Sequence, residues 1–157
     1  MTTFPDIPEA GKRSVFTLTN VSGRRLPVLE PTLRKLMQRV EEEENVRFIE
    51  LELVYVDEGE IISVNKKHLG RDYVTDIISF RYDEEKSDKQ IEGTLFCCAP
   101  RIEEQSDEEK TSPREEFCRV FIHGLLHLAG YDDQTEEDKI RMTQRENHYL
   151  ELLNGEM

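Results

Sequence analysis

The sequence has no long hydrophobic run. No stretch approaches the roughly 18 apolar residues that a membrane-spanning helix needs, and residues 1–14, MTTFPDIPEAGKRS, contain no apolar signal-peptide core. Cysteine is scarce as well: Cys97, Cys98 and Cys118 are odd in number and lack the spacing of a zinc knuckle. These absences predict a cytosolic protein of a reducing compartment that does not enter a membrane.

Positive charge is also in short supply. The formal net charge of the 157-residue chain is −13, which argues against a protein that binds nucleic acids through its overall charge. The charge is uneven, because residues 11–40 contain seven lysines and arginines and one acid, Glu30. This basic segment could bind an anionic ligand or could form the solvated face of a helix, and composition leaves both interpretations open.

The order of periodic segments indicates a single α+β domain spanning residues 1–157. A chain of this length normally forms one compact domain, and residues 1–12 could be a flexible extension of it. Apolar periodicity predicts four strands, which would form a mixed sheet packed with helices. The predicted strands are 14–20, 47–56, 75–82 and 92–99, and the predicted helices are 29–44, 58–70, 113–130 and 135–153. The polar residues 83–90 are predicted to form a hairpin loop.

The most informative stretch is HGLLHLAGYDD, residues 123–133, at the end of the helix that Ser112 is predicted to cap. His123 and His127 are one helical turn apart, so both imidazoles project from the same side and could hold one metal ion. Gly130 can reverse the chain in a left-handed conformation and bring Asp133 back as a third ligand. An isolated pair of histidines at this spacing is usually incidental, but the glycine and the acid favour a metal site.

The chemistry of such a site depends on the residue that follows the first histidine. Zincin metallopeptidases carry His-Glu-x-x-His, and their glutamate takes a proton from the attacking water. The equivalent residue here is Gly124, so this zincin-like helix lacks the usual base for peptide hydrolysis. Cleavage of a phosphodiester makes a different demand, because a metal and a cation can directly stabilise the charge that gathers on the phosphoryl oxygens.

Three blocks of the sequence resemble the YbeY family of bacterial endoribonucleases. Residues 123–133 are similar to the family signature His-Gly-x-Leu-His-Leu-x-Gly-Tyr-Asp-His, and residues 65–80 are similar to an asparagine-containing helix followed by Thr-Asp-Val-Leu-Ser-Phe. Residues 92–95, EGTL, look like the family's Gly-Asp-Ile strand with the aspartate replaced. The resemblance implies a zinc-dependent, single-strand-specific endoribonuclease that matures small-subunit ribosomal RNA and takes part in ribosome quality control.

Two departures from the family pattern affect the expected site. Asp133 stands where the family has its third histidine, so the metal would be a weaker Lewis acid, and manganese or another divalent metal becomes an alternative to zinc. Leu69 stands where the family has an arginine just before the glycine of the second block. Arg71 is the nearest guanidinium that could hold a phosphate, with His68 a weaker candidate.

The resulting hypothesis is a metal-dependent endoribonuclease that acts on single-stranded or ribosomal RNA at the small ribosomal subunit. His123, His127 and Asp133 are the predicted metal ligands, and Arg71 and His123 are the predicted catalytic residues. An alternative is a non-catalytic, ribosome-associated binding protein in which the metal only fixes the loop after Gly130. A metallopeptidase is a weaker alternative because of Gly124.

Overall fold

The structure, a computed structural model, describes residues 14–82 and 89–156 and confirms the predicted α+β class. The predicted N-terminal extension and most of the predicted hairpin loop lie outside these residues. The strands are β1 (Val15–Asn20), β2 (Arg47–Val56), β3 (Ile77–Arg81) and β4 (Gln90–Cys98). The helices are α1 (Glu30–Glu44), α2 (Glu58–Leu69), α3 (Ala99–Glu109), α4 (Pro113–Leu128) and α5 (Glu136–Glu156). No helix in the described ranges is both long and apolar enough to span a membrane.

The four strands form one mixed sheet in the order β1-β2-β4-β3. β2 runs parallel to both β1 and β4, whereas β3 runs antiparallel to β4 at the edge. In β2, the alternation of the sequence places Leu51, Leu53 and Tyr55 in the core and Glu50 and Glu52 on the other face. The mixed sheet predicted from the segment order is therefore confirmed.

Helix α4 lies at the centre of the molecule, in contact with α1, α3, α5 and the sheet. Its buried residues point in almost every direction around the helix axis, which is typical of a helix enclosed on most sides. Cys118 is fully buried in this core. Near the C-terminal end of α4, the side chains of His123 and His127 are only partly buried, whereas most of their neighbours on the helix are buried.

One helix was not predicted. α3 follows β4 directly, whereas the sequence was interpreted as a strand to residue 99 with no element before Ser112. Its sequence, APRIEEQSDEE, is mostly charged, and only Ala99, Ile102 and Ser106 are buried. Such a narrow apolar stripe gives a weak periodic signal, and the helix forms because this stripe packs against α4.

Candidate metal and RNA site

Local sequence determines where the site helix begins. The Ser112 side chain accepts a hydrogen bond from the backbone N–H of Glu115, and Pro113 occupies the first turn. From this start, His123 and His127 fall on the same side of α4, with ring centroids 4.7 Å apart. Gly130 then adopts a φ of 111°, which confirms the predicted reversal of the chain.

This reversal brings Asp133 to the two histidines. Its Oδ2 lies 3.5 Å from Nε2 of His123 and 3.4 Å from Nε2 of His127. One ligand atom from each of the three residues lies within 4.8 Å of the other two. In a tetrahedral zinc site with metal–ligand distances of about 2.0–2.1 Å, two ligand atoms lie about 3.3 Å from each other. The three side chains therefore fit a single metal ion.

Glu146 of α5 contacts the outer side of the His123 ring. Its Oε2 is 2.7 Å from Nδ1 of His123, and its Oε1 accepts a hydrogen bond of 2.9 Å from Arg119. Burial lowers the pKa of His123, but the hydrogen bond and charge of Glu146, together with Asp76 and Asp133, outweigh it and raise the pKa overall. The same negative charges favour a metal cation at this position.

A cavity of about 410 Å³ opens beside the three side chains. Its lining includes Arg71, Tyr73, Asp76 and Arg81 as well as the two histidines and Asp133. Arg71 is exposed, and within the described part of the chain its guanidinium has no hydrogen-bond or ion-pair partner. The structure thus brings the predicted phosphate-binding residue to the same cavity as the predicted metal ligands.

Sequence reasoning missed three residues of this neighbourhood. Arg81 lines the cavity and donates from Nη1 to the backbone oxygen of Leu128, at the end of α4. Tyr73 lines the cavity with its ring half-exposed, and Glu146 contacts His123. No spacing rule links these positions to the signature, although Tyr73 lies within the second block and Arg81 directly follows it, which was a usable signal.

Two further histidines, one of them the weaker phosphate-binding candidate His68, do not line the cavity. The His68 ring packs against Phe80 with centroids 5.0 Å apart, and His148 is 2.7 Å from a carboxylate oxygen of Glu43. Leu69 lines the cavity wall and leaves an apolar surface there.

The basic segment, residues 11–40, is separate from the cavity, because none of its described residues line it. Arg24, Arg34 and Arg39 form ion pairs with Glu103, Glu30 and Glu42. Lys12 and Arg13 lie outside the described residues.

Close packing explains the glycine between the two histidines. A β-carbon at Gly124 would lie 2.6 Å from Cδ1 of Ile77 and 3.0 Å from both δ-carbons of Leu95. A side chain at this position would force the ends of Ile77 and Leu95 to move, because α4 packs closely on the sheet here. A glutamate would therefore first meet apolar side chains of the sheet.

Comparisons with known proteins agree with the site. A sequence model of the family described as Endoribonuclease YbeY matches residues 20–154. An Endoribonuclease YbeY from Chlorobium phaeobacteroides is 38% identical over 87% of this chain and 95% of its own length, and one from Chloroherpeton thalassium is 37% identical over 79% and 86%. The solution structure of TM1509 from Thermotoga maritima superposes with a TM-score of 0.59 at 26% identity, covering 90% of this chain and 91% of that one. The chain therefore belongs to the YbeY family of endoribonucleases, hydrolases that cut RNA internally.

Proposed function

We propose that this chain is a zinc-dependent endoribonuclease that cuts single-stranded RNA during maturation of small-subunit ribosomal RNA and ribosome quality control. The observation that carries the proposal is a cavity lined by three metal-compatible donor groups and by the Arg71 guanidinium, which has no partner among the described residues. Family membership supports the reaction class, and zinc is favoured by two imidazoles and one carboxylate at tetrahedral spacing.

His123, His127 and Asp133 would hold the metal. When bound, zinc would supply Lewis acidity to a phosphate oxygen and lower the pKa of a water molecule. Arg71 would orient the phosphate, since a guanidinium can donate two parallel hydrogen bonds to its oxygens. Charge that builds on these oxygens in the transition state would then face a preorganised cation.

The cavity rim supports a preference for unpaired RNA. Tyr73 and Leu69 are 52% and 43% exposed, and both line the cavity beside Arg71. An exposed aromatic ring next to a phosphate-binding cation can stack on a base only if that base is not already paired. We therefore assign the nucleotide next to the cleaved phosphate to this rim.

The packing of Gly124 argues against the metallopeptidase alternative. A carboxylate on the residue after His123 would first have to displace the apolar side chains of Ile77 and Leu95. Phosphodiester cleavage does not require a base at that position.

The decisive experiment is single-turnover cleavage of a short single-stranded RNA by wild type and His127→Ala, purified side by side with measured zinc content. A true activity disappears in the variant, whereas a contaminating nuclease would be present in both preparations. Equal rates would contradict the proposal. A wild type that binds zinc but does not cut would favour the ribosome-associated binding protein.

A further inference from the structure

We propose that Glu146 is a positioning residue that holds His123 with its proton on Nδ1 and so keeps Nε2 available for the metal. The inference rests on the proposed metal site but does not depend on RNA cleavage.

The contacts place Glu146 between two functional groups of α4. Its side chain is 9% exposed, with Oε2 at 2.7 Å from Nδ1 of His123 and Oε1 at 2.9 Å from Nη1 of Arg119. Arg119 and His123 are one turn apart on α4, so a single carboxylate from α5 bridges both. Arg119 is itself held by Asn147, whose Oδ1 accepts from Nη2 at 2.6 Å. The carboxylate is therefore fixed from both sides.

The chemistry of this contact fixes the tautomer of His123. An ionised carboxylate can only accept hydrogen bonds, so Nδ1 of His123 must be the donor. In the neutral ring, Nε2 then has the free lone pair, and Nε2 is the atom 3.5 Å from Asp133 Oδ2. Within the described residues, His127 has no hydrogen bond to a carboxylate at Nδ1. Of the two histidine ligands, Glu146 therefore acts on His123 only.

A purely structural role would give a different pattern. If Glu146 served only to join α5 to α4 through its ion pair, then Arg119→Gln would have the same effect as Glu146→Gln. If Glu146 positions His123, only the Glu146 substitution changes the tautomer and the metal affinity. A glutamine presents an amide NH2 as well as an oxygen, so it no longer requires Nδ1 to be the donor, and a ring with its proton on Nε2 cannot bind the metal through that atom.

The experiment is a zinc titration of metal-free protein in competition with a chromophoric chelator. We expect Glu146→Gln to weaken zinc binding about 10- to 100-fold, and Arg119→Gln to stay within about threefold of wild type. Glu43→Gln is the matched control. Glu43, on α1, forms a similar 2.7 Å contact with His148 of α5, and neither residue lines the cavity. Affinity unchanged in Glu146→Gln, or equally reduced in Arg119→Gln, would overturn the proposal.

A second measurement determines the tautomer in the wild-type protein itself. Nitrogen-15 NMR of metal-free wild type reports which ring nitrogen of neutral His123 is protonated, with the signal assigned by its loss in His123→Ala. A proton on Nδ1 supports the inference, and a proton on Nε2 overturns it. If the wild type binds zinc but does not cleave RNA, the proposed nuclease function is refuted and the role of Glu146 is not. If the wild type cleaves RNA but Glu146→Gln binds zinc as tightly as wild type, only the role of Glu146 is refuted.

Discussion

The buried side chain of Asn65 donates from Nδ2 to the backbone oxygen of Tyr73 at 3.0 Å. This bond joins the last turns of α2 to the segment that carries Arg71 and Tyr73. The backbone N–H of Arg71 also donates to the oxygen of Asn65, and Cys98 N–H donates to the oxygen of Asp76 at the other end of the segment. The backbone that carries the rim residues is therefore anchored, which would reduce the entropic cost of the RNA binding proposed for the rim.

We predict that Arg71→Ala slows cleavage much more than it changes stability. Losing one donor to the developing charge costs on the order of 100-fold in rate, while an exposed residue without a partner changes stability by about 0.5 kcal/mol or less. Arg71→Lys should rescue only in part, because an ammonium cannot make the two-pronged contact. Single-turnover rates, zinc content and melting temperatures check this. Lys67→Ala is the control, since Lys67 is exposed but outside the cavity; equal effects in both variants would contradict the prediction.

We predict that Tyr73→Ala raises KM for single-stranded RNA about 10-fold, the lower part of the range for loss of one base–aromatic stack. Tyr73→Phe should retain wild-type behaviour because the ring remains. The quenching of a 2-aminopurine placed next to the cleavage site would report stacking directly. An unchanged KM and unchanged quenching in Tyr73→Ala would show that the rim does not hold the base.

We predict that Asp133→His keeps the metal and at least preserves activity. Imidazole is a suitable third ligand for zinc, and the related family uses it at this position. Asp133→Ala should instead bind zinc more weakly, because only His123 and His127 of α4 remain as ligands. Zinc titration of the two variants provides the test. Complete metal loss in a folded Asp133→His protein would mean that Asp133 does not contact the metal.

We predict that Glu44 stabilises the fold in a pH-dependent way. Its carboxylate, 12% exposed, accepts hydrogen bonds from Tyr131, Tyr149 and Arg145. Burial raises the pKa of Glu44, but these hydrogen bonds and Arg145 outweigh it and lower the pKa below the ordinary value of 4.5. The contribution is therefore present above the ordinary pKa and is lost as pH falls through the lowered folded-state pKa.

The test is urea unfolding of wild type and Glu44→Gln from pH 7 to pH 3. The variant should be less stable by about 1–3 kcal/mol at pH 7, and the gap should shrink toward acid pH. If the difference in the free energy of unfolding between wild type and variant is constant from pH 7 to pH 3, the Glu44 carboxylate does not contribute through its ionised form. Tyr131 follows Gly130 directly, so the same network also fixes the start of the loop that brings Asp133 to the histidines.

Local sequence by itself determined the start of α4, the shared side of His123 and His127, and the reversal at Gly130. Each of these depends on a cap, a helical spacing or a glycine φ, which are interactions within a few residues. The same signals predicted the α+β class and all elements except α3, whose narrow apolar stripe becomes visible only against α4. Family resemblance then supplied the reaction class that spacing left open.

Tertiary structure alone decided which distant residues meet these histidines. Glu146 reaches His123 because α5 packs across α4, and Arg81 reaches the end of α4 because β3 packs against that helix. The excess of basic residues in the segment 11–40 offered one possible surface for an anionic ligand, but the arginines that line the cavity are Arg71 and Arg81. Sequence distance carries no information about such contacts, because they depend on how helices and strands pack and not on the local conformation of the chain.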